Sequence, residues 1–383
     1  MPQSNLKDLF LLKKGIHFLN HGSFGATPKL VFQKYQYWQK VLENQPVEFL
    51  GRRFNSLLVE SRKILASFLA THPENIVYVP NTTTGINTIA RFLHFIEDDE
   101  VVITNHEYGA VERIWKYLSR QYHFKLVIAN IPVPVTNPAE IMDSLFAYVN
   151  QKTRLICISH VTSSTAMIFP VEEICKRAKS LNILTVIDGA HAPGQIDLEL
   201  EKIDPDFYVG NLHKWLCAPK GSAFLYAAHR VQNLVEPLIV SWGWESQDPS
   251  PSRFIDYLEW TGTMDISAYL TVPEAVEFHR VYVSVTNQIN CHKLCATTQS
   301  EISDLTGLEP FHPDSSVYFA QMATNPLPPR LDINSLKTTL YDRFNIEIPT
   351  FLWCGHKLIR ASFQIYNDTD DAQALIEALK QKL

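Results

Sequence analysis

Gly210-Asn211-Leu212-His213-Lys214-Trp215 decides how this chain reads, together with Leu184-Thr185-Val186-Ile187-Asp188-Gly189-Ala190-His191-Ala192-Pro193-Gly194 upstream of it. The upstream stretch is a short apolar strand that ends in an acid and runs into small residues. A second apolar stretch, Phe207-Tyr208-Val209, then delivers Lys214. Around this pair, strand-length apolar runs near 76–80, 101–105, 125–131, 154–161, 184–188, 206–210 and 223–227 alternate with helical stretches. That alternation predicts an α/β protein with a mainly parallel seven-stranded sheet covered by helices on both faces. The polar residues of interest fall just after strands, at the carboxyl ends, where open α/β sheets bind ligands.

The 383 residues allow two or three domains and a sizeable core. Residues 1–70 read as an entry strand and helices, including an aromatic-rich amphipathic run from Leu30 to Leu42. Residues 71–264 read as the large α/β domain, with Ser241 to Arg253, rich in Ser, Pro and Trp, as a long connection. Residues 265–383 read as a helix followed by a smaller α+β C-terminal domain. The apolar share of 46% and charged share of 19% are those of a soluble globular protein. A net charge of -6 with mixed signs argues against non-specific nucleic-acid binding, which needs a basic face. The longest apolar runs are strand-length, so no membrane association is expected. Met1-Pro2-Gln3-Ser4-Asn5-Leu6-Lys7-Asp8 lacks a basic region followed by an apolar block, which leaves a cytoplasmic location as the default.

An acid at one strand end and a lysine at a nearby one is what pyridoxal 5'-phosphate (PLP) chemistry needs. The amine forms a Schiff base with the cofactor aldehyde, and the carboxylate keeps the ring nitrogen protonated. The same pair also fits an ordinary α/β sheet with a capping Asp and a surface Lys, so the surroundings must decide. Asn81-Thr82-Thr83-Thr84-Gly85 follows the apolar Ile76-Val77-Tyr78-Val79 and opens an amphipathic stretch through Ile86, Ile89, Phe92 and Leu93. A hydroxyl-rich helix N-terminus offers N–H groups and a positive dipole end to a phosphate. A plain Thr N-cap is the commoner use, but three consecutive threonines exceed it. Val101-Val102-Ile103-Thr104-Asn105 delivers His106-Glu107-Tyr108, whose tyrosine fits either offset stacking on a cofactor ring or a core or rim position.

These stretches are joined, in order, by Phe18-Leu19-Asn20-His21-Gly22-Ser23-Phe24-Gly25, Ser159-His160-Val161-Thr162-Ser163-Ser164-Thr165-Ala166, Trp260-Thr261-Gly262-Thr263 and Ile359-Arg360-Ala361-Ser362-Phe363-Gln364-Ile365-Tyr366-Asn367. The set spans nearly the whole chain and resembles fold-type I PLP enzymes of the class V aminotransferase family, within it the isopenicillin N epimerase-like branch. The resemblance implies the PLP-dependent transferase (aspartate aminotransferase-like) fold and PLP as cofactor, not a particular substrate. It makes Lys214 the Schiff-base lysine and Asp188 the partner of the pyridine nitrogen. His191 falls where the family hydrogen-bonds the phenolic oxygen. Thr82 and Thr83 would hold the phosphate, aided by Asn211 and His213. Tyr108 stands where many relatives stack a histidine. His160 stands where cysteine desulfurases of this class carry Asn near the phenolic oxygen, with a purely structural histidine as the alternative. His21 and Ser23 are expected on the substrate side. Thr263 matches a Gly-Thr that in relatives reaches the neighbouring subunit's phosphate, which implies a homodimer with a shared active site. Arg360 stands where the family grips the substrate α-carboxylate with a planar guanidinium; a solvated residue of a half-buried strand is the other reading.

The expected activity is therefore at the Cα of an amino-acid substrate, with Lys214 as general base if its pKa is lowered. Reprotonation on the opposite face gives epimerisation and needs a second acid, for which Tyr108 is the candidate. Expulsion of a β-substituent gives a C–S lyase, and protonation of the cofactor gives an aminotransferase. The resemblance orders these as epimerase, C–S lyase (cysteine-conjugate or sulfoxide), then aminotransferase. A PLP-fold binding protein without activity would have lost Lys214, Asp188 or Arg360. Arg52 and Arg53 read as a surface pair or as holders of a distal substrate carboxylate. The six cysteines form no disulfide-scaffold pattern. Cys291-His292-Lys293-Leu294-Cys295 fits one helix face, no second ligand pair follows at zinc-finger distance, and His160, His191 and His213 form no HExxH-type pair, so no metal is expected. Cys354, six residues before Arg360 in strand-loop-strand sequence, is placed unlike the mobile-loop cysteine of a desulfurase.

Overall fold

The computed structural model describes residues 6–383; residues 1–5, part of the N-terminal stretch read above, lie outside the described residues. Ile76–Val79 (β1), Glu100–Thr104 (β2), Lys125–Ala129 (β3), Thr153–Ser159 (β4), Leu184–Asp188 (β5), Phe207–Asn211 (β6) and Ala223–Ala227 (β7) form one seven-stranded sheet in the order β1-β7-β6-β5-β4-β2-β3. Strands β3, β2, β4, β5 and β6 pair in parallel, and β7 is antiparallel to both its neighbours. All but the edge strand β3 are buried along nearly their whole length, as a sheet covered on both faces requires. The α/β fold expected from the apolar runs is the fold observed.

Register sets the site. Ser159 pairs with Asp188, and Asp188 with Val209, so β4 and β5 end together while β6 runs on to Asn211. Their last residues, Ser159, Asp188 and Asn211, emerge side by side at the carboxyl edge. Helix Thr82–Phe92 lies on β6 and β7 through Ile86, Ile89 and Phe92. Gly85 lets it approach, since a Cβ there would fall 2.4 Å from Val209 Cγ1.

A second, antiparallel sheet follows later in the chain: Met322–Leu327 (β8), Thr350–Trp353 (β9) and His356–Ser362 (β10), in the order β9-β10-β8. Cys354 and Gly355 are the two turn residues between β9 and β10, both with positive φ. The opening segment is joined to this part of the molecule. His17–Phe18 pairs in parallel with Ile346–Glu347, and the Ser362 N–H donates to the Leu19 carbonyl. Residues 20–25 are thereby held between Arg360 and the Lys214 loop. The amphipathic run after Leu30 forms helix Lys29–Asn44, and residues 235–252 carry no helix or strand. Cys291 and Cys295 are buried on helix Val285–Thr306. Among the described residues no group of three or more His, Cys, Asp or Glu converges as a metal site does, and no helix is long and apolar enough to cross a membrane.

Gly25 ties the opening segment to the lysine loop. Its φ is +69°, and a Cβ there would lie 2.0 Å from the His213 carbonyl oxygen and 2.9 Å from Lys214 Cα. Gly25→Ala is expected to lose about 3 kcal/mol of stability, because both backbone strain and contact penalise it. Urea unfolding measures this, and an unchanged midpoint would contradict the close approach.

Candidate active site

A cavity of about 150 Å³ opens at the carboxyl edge of the sheet, lined by Asp188, His191, Lys214, Thr82, Thr83 and Tyr108, with Ser159, Ser163, Ser23, Asn211 and His213 around them. Lys214 sits three residues past the end of β6, and its Nζ lies 3.1 Å from His191 Nε2. Burial pushes its pKa from 10.5 down to about 7; the Arg360 cation acts in the same direction, and Asp188 opposes both. A depression of that size corresponds to a penalty on the ammonium on the order of 5 kcal/mol. The site therefore holds a lysine that is substantially a free amine near neutral pH, which is the nucleophilic and basic form. Asp188, the last residue of β5, accepts the Ala190 N–H at 2.9 Å. Burial raises its pKa, while the Ala190 N–H and Lys214 pull the other way.

At the helix N-terminus, the threonines are not the cap. Asn81 caps the helix, its Oδ1 accepting the Thr84 N–H at 2.8 Å, and the Thr82 N–H is anchored to Asn211 Oδ1 at 2.9 Å. Thr82 Oγ1 is buried without a hydrogen-bond partner on the cavity wall, and Thr83 is exposed beside it. A buried hydroxyl left without a partner costs on the order of 1–3 kcal/mol, and a ligand oxygen would satisfy it. Helix dipole, free hydroxyl and backbone donors together fit a phosphate.

Arg360, on β10, is 4% exposed. Its Nη1 donates to the Ser163 carbonyl at 2.6 Å and to Ser163 Oγ at 3.2 Å, its Nη2 donates to Ser23 Oγ at 3.3 Å, and its Nε has no partner. Its partners among the described residues are serine oxygens and no carboxylate, and burial lowers its pKa to about 10. A buried guanidinium without an acid is unstable by several kcal/mol until an anion arrives. The solvated-edge reading of this position is excluded by that burial.

Several expected residues are placed differently. His160 faces away from the cavity: strand alternation sends Ser159 and Val161 inward and His160 to the other side, where its Nδ1 meets the Tyr208 hydroxyl at 2.9 Å. Burial pushes its pKa to about 3, so it is a neutral packing histidine and the expected cofactor contact is corrected. His21 is fully buried behind Lys214 rather than on the substrate side. Its Nε2–H donates to the Lys214 carbonyl at 3.0 Å and its Nδ1 accepts the Tyr366 hydroxyl at 3.0 Å, so both nitrogens are spent on holding the lysine's backbone. Ser23 does line the cavity. Tyr108 stands at the lip, 51% exposed. The His213 Nδ1–H donates to the Ser222 carbonyl, and burial lowers its pKa to about 4, so the neutral ring offers the cavity an acceptor. Thr263 lies at the surface and does not line this cavity.

Sequence reasoning assigned no role to Glu107, Ser159, Ser163 or Trp215. Glu107 is buried under the site, accepting from Thr104 Oγ1 at 2.6 Å and Ser159 Oγ at 2.7 Å, and burial raises its pKa to about 7. Its signal was an acid directly after an apolar strand, inside the His106-Glu107-Tyr108 run.

The model of the family described as Aminotransferase class-V matches residues 17–375. The chain is 32% identical over 390 residues to an isopenicillin N epimerase from Amycolatopsis lactamdurans, covering 99% of this chain and 98% of the relative. It is 25% identical to a hercynylcysteine sulfoxide lyase from Schizosaccharomyces pombe, covering 98% and 96%. The fold matches a cysteine desulfurase from Escherichia coli with a TM-score of 0.82 at 18% identity, covering 98% and 97%. The chain belongs to the aminotransferase class-V family, and the cofactor of that family is PLP. The residues present fit that group: an unsatisfied hydroxyl at a helix N-terminus for a phosphate, a free amine for an aldehyde, and a buried acid on the floor.

The charges around Lys214 make a signed prediction. In the cofactor-free protein, acylation of Lys214 is expected to follow a pH midpoint near 7. Arg360→Gln should raise that midpoint and Asp188→Asn should lower it, as read by mass spectrometry of the labelled peptide. A midpoint near that of free lysine, or shifts of opposite sign, would contradict this electrostatic account.

Proposed function

We propose that this protein is a PLP-dependent enzyme acting at the Cα of an amino acid, with epimerisation of the isopenicillin N epimerase type as the first reading. The observation that carries it is a lysine pushed toward its free amine, sharing one cavity with a buried acid, while an unpaired buried arginine holds the cavity-lining Ser163 and Ser23. Bound PLP supplies an aldehyde carbon and an electron-withdrawing ring that accepts the charge left when a Cα proton departs. Thr82, Thr83 and the N–H groups beside them hold the phosphate, Asn211 fixes the start of that helix, and Asp188 pairs with the ring nitrogen. Tyr108 covers the ring from the lip.

Arg360 takes the substrate α-carboxylate, with Ser163 and Ser23 holding the guanidinium in place. That binding event also acts on Lys214. After burial, Arg360 is the next cause of the lysine's lowered pKa, so a carboxylate seated on Arg360 offsets that share of the depression and makes Lys214 a stronger base as the substrate arrives. Lys214 then removes the Cα proton. Epimerisation needs a second acid on the far side, and Tyr108 is the residue proposed. C–S β-elimination is the second reading, favoured by a specific observation. His191, an acid–base group of the cavity, belongs to the lysine's own side, 3.1 Å from its amine. Elimination requires no group opposite the lysine, and a sulfoxide lyase is among the relatives.

We further propose a two-fold homodimer in which Thr263 reaches the partner's phosphate. Supporting this, Thr263 is exposed, and Trp242 and Val240, in the connection that precedes it, are 84% and 66% exposed. Mixing Lys214→Ala with Thr263→Ala subunits should restore part of the activity that each variant lacks. No recovery from subunits shown to exchange would refute the sharing.

The function itself is tested with the purified protein and a panel of L- and D-amino acids and cysteine conjugates. Lys214→Ala should lose the visible band of the lysine-linked cofactor. Arg360→Ala should lower kcat/KM about 100-fold through loss of a buried charge-assisted contact. Chiral analysis, pyruvate assay and keto-acid assay then separate epimerase, lyase and aminotransferase. A Lys214→Ala protein that keeps the band would overturn the assignment of the lysine.

A further inference from the structure

The segment Gly189–Gly194 and the backbone of Trp215–Leu216 are packed against each other with no space between. Gly194 has φ +84°, and a Cβ there would lie 2.7 Å from both Leu216 N and the Trp215 carbonyl carbon. Gln195 Nε2 donates to the His191 carbonyl at 2.6 Å, which fixes the backbone of that histidine. Between the two segments runs a short chain of polar atoms. Trp215 Nε1 is 3.4 Å from His191 Nδ1, and His191 Nε2 is 3.1 Å from Lys214 Nζ. Trp215 is fully buried and His191 is 3% exposed, so water does not compete for the contact between these two.

The direction of this chain follows from valence. An indole N–H is a donor only, so His191 Nδ1 must be the acceptor and carries no proton. The ring is neutral: burial, then the Lys214 and Arg360 cations and the neighbouring His21 and His213, hold its pKa well below the usual value. A neutral imidazole without a proton on Nδ1 has it on Nε2, which faces the lysine amine. That amine can accept the proton's hydrogen bond only through its lone pair, as a free amine.

We propose that Trp215 is a positioning residue: its indole N–H fixes His191 as the Nε2–H tautomer and so presents Lys214 with a hydrogen-bond donor. A donor opposite Nζ disfavours the ammonium and adds to the effect of Arg360, against the single opposing charge of Asp188. With the cofactor bound, the same N–H keeps the polarity that a phenolate oxygen accepts. The proposal rests on Lys214 as the reactive amine, but the tautomer it assigns exists with or without PLP.

The test is the ¹⁵N spectrum of the full-length protein labelled at histidine, with cofactor bound and after its removal, His191 being assigned by the signals lost in His191→Gln. A pyridine-type Nδ1 and a protonated Nε2 are expected in both forms. In Trp215→Phe the indole donor is gone, so the Nδ1–H form should grow, and the Lys214 pKa of the cofactor-free variant should rise by about one unit. A protonated Nδ1 in the wild-type protein overturns the proposal whether or not the variant folds. An unchanged tautomer in a folded Trp215→Phe protein overturns it as well. A protein that binds no PLP yet shows the Nε2–H tautomer would sink the proposed function and leave this inference standing.

Discussion

One lysine amine stands under the opposed influence of a second cation and a single acid, and the rest of the site follows from that imbalance. Lys214 lines the cavity with Asp188; the Arg360 cation disfavours the lysine's charge and Asp188 opposes that effect. Arg360 is buried away from water, and Lys214 stands half-buried on the cavity wall. Burial and then the Arg360 charge push the lysine toward its neutral amine, which a guanidinium with a far higher intrinsic pKa does not become. Arg360 therefore remains charged and unpaired, with serine oxygens rather than a carboxylate on its Nη atoms.

The fold maintains this unfavourable arrangement by over-determining the position of each member. Lys214 is held through its carbonyl by His21, which is itself held by Tyr366 from the far end of the chain. Asp188 stands beside Ser159 on the neighbouring strand, and Ser159 is bound to the buried Glu107. Residues 20–25, Arg360 and the Lys214 loop meet only because the opening segment pairs with the C-terminal part. Stability elsewhere offsets the cost of the site, as is common where buried groups are kept for chemistry.

Much of this was legible in the sequence because it depends on local pattern. The sheet strands are continuous apolar runs between turn signals, and each was found to within a few residues. Lys214, Asp188, Thr82 and Asn211 were visible because they follow such runs, and strand ends are where α/β sheets place ligands. Parity was harder: His160, one residue past the end of β4, is expected at the cofactor but points to the opposite face from Ser159 and Val161. The roles of His21 and Trp215 could not be read locally at all. Both act through partners distant in the chain, Lys214 and Tyr366 for one and the 189–194 segment for the other. The plain Thr cap weighed for the threonine run is not what forms: the preceding asparagine takes that duty and leaves the Thr82 hydroxyl without a partner.

The most direct measurement of the central claim is proton exchange at the substrate Cα, followed by NMR in D₂O with the wild-type protein and a panel of amino acids. If Lys214 works as a base opposite an Arg360-bound carboxylate, at least one amino acid should lose its Cα–H signal, and the loss should vanish in Lys214→Ala. A protein that holds PLP yet leaves every Cα proton in place would contradict the account.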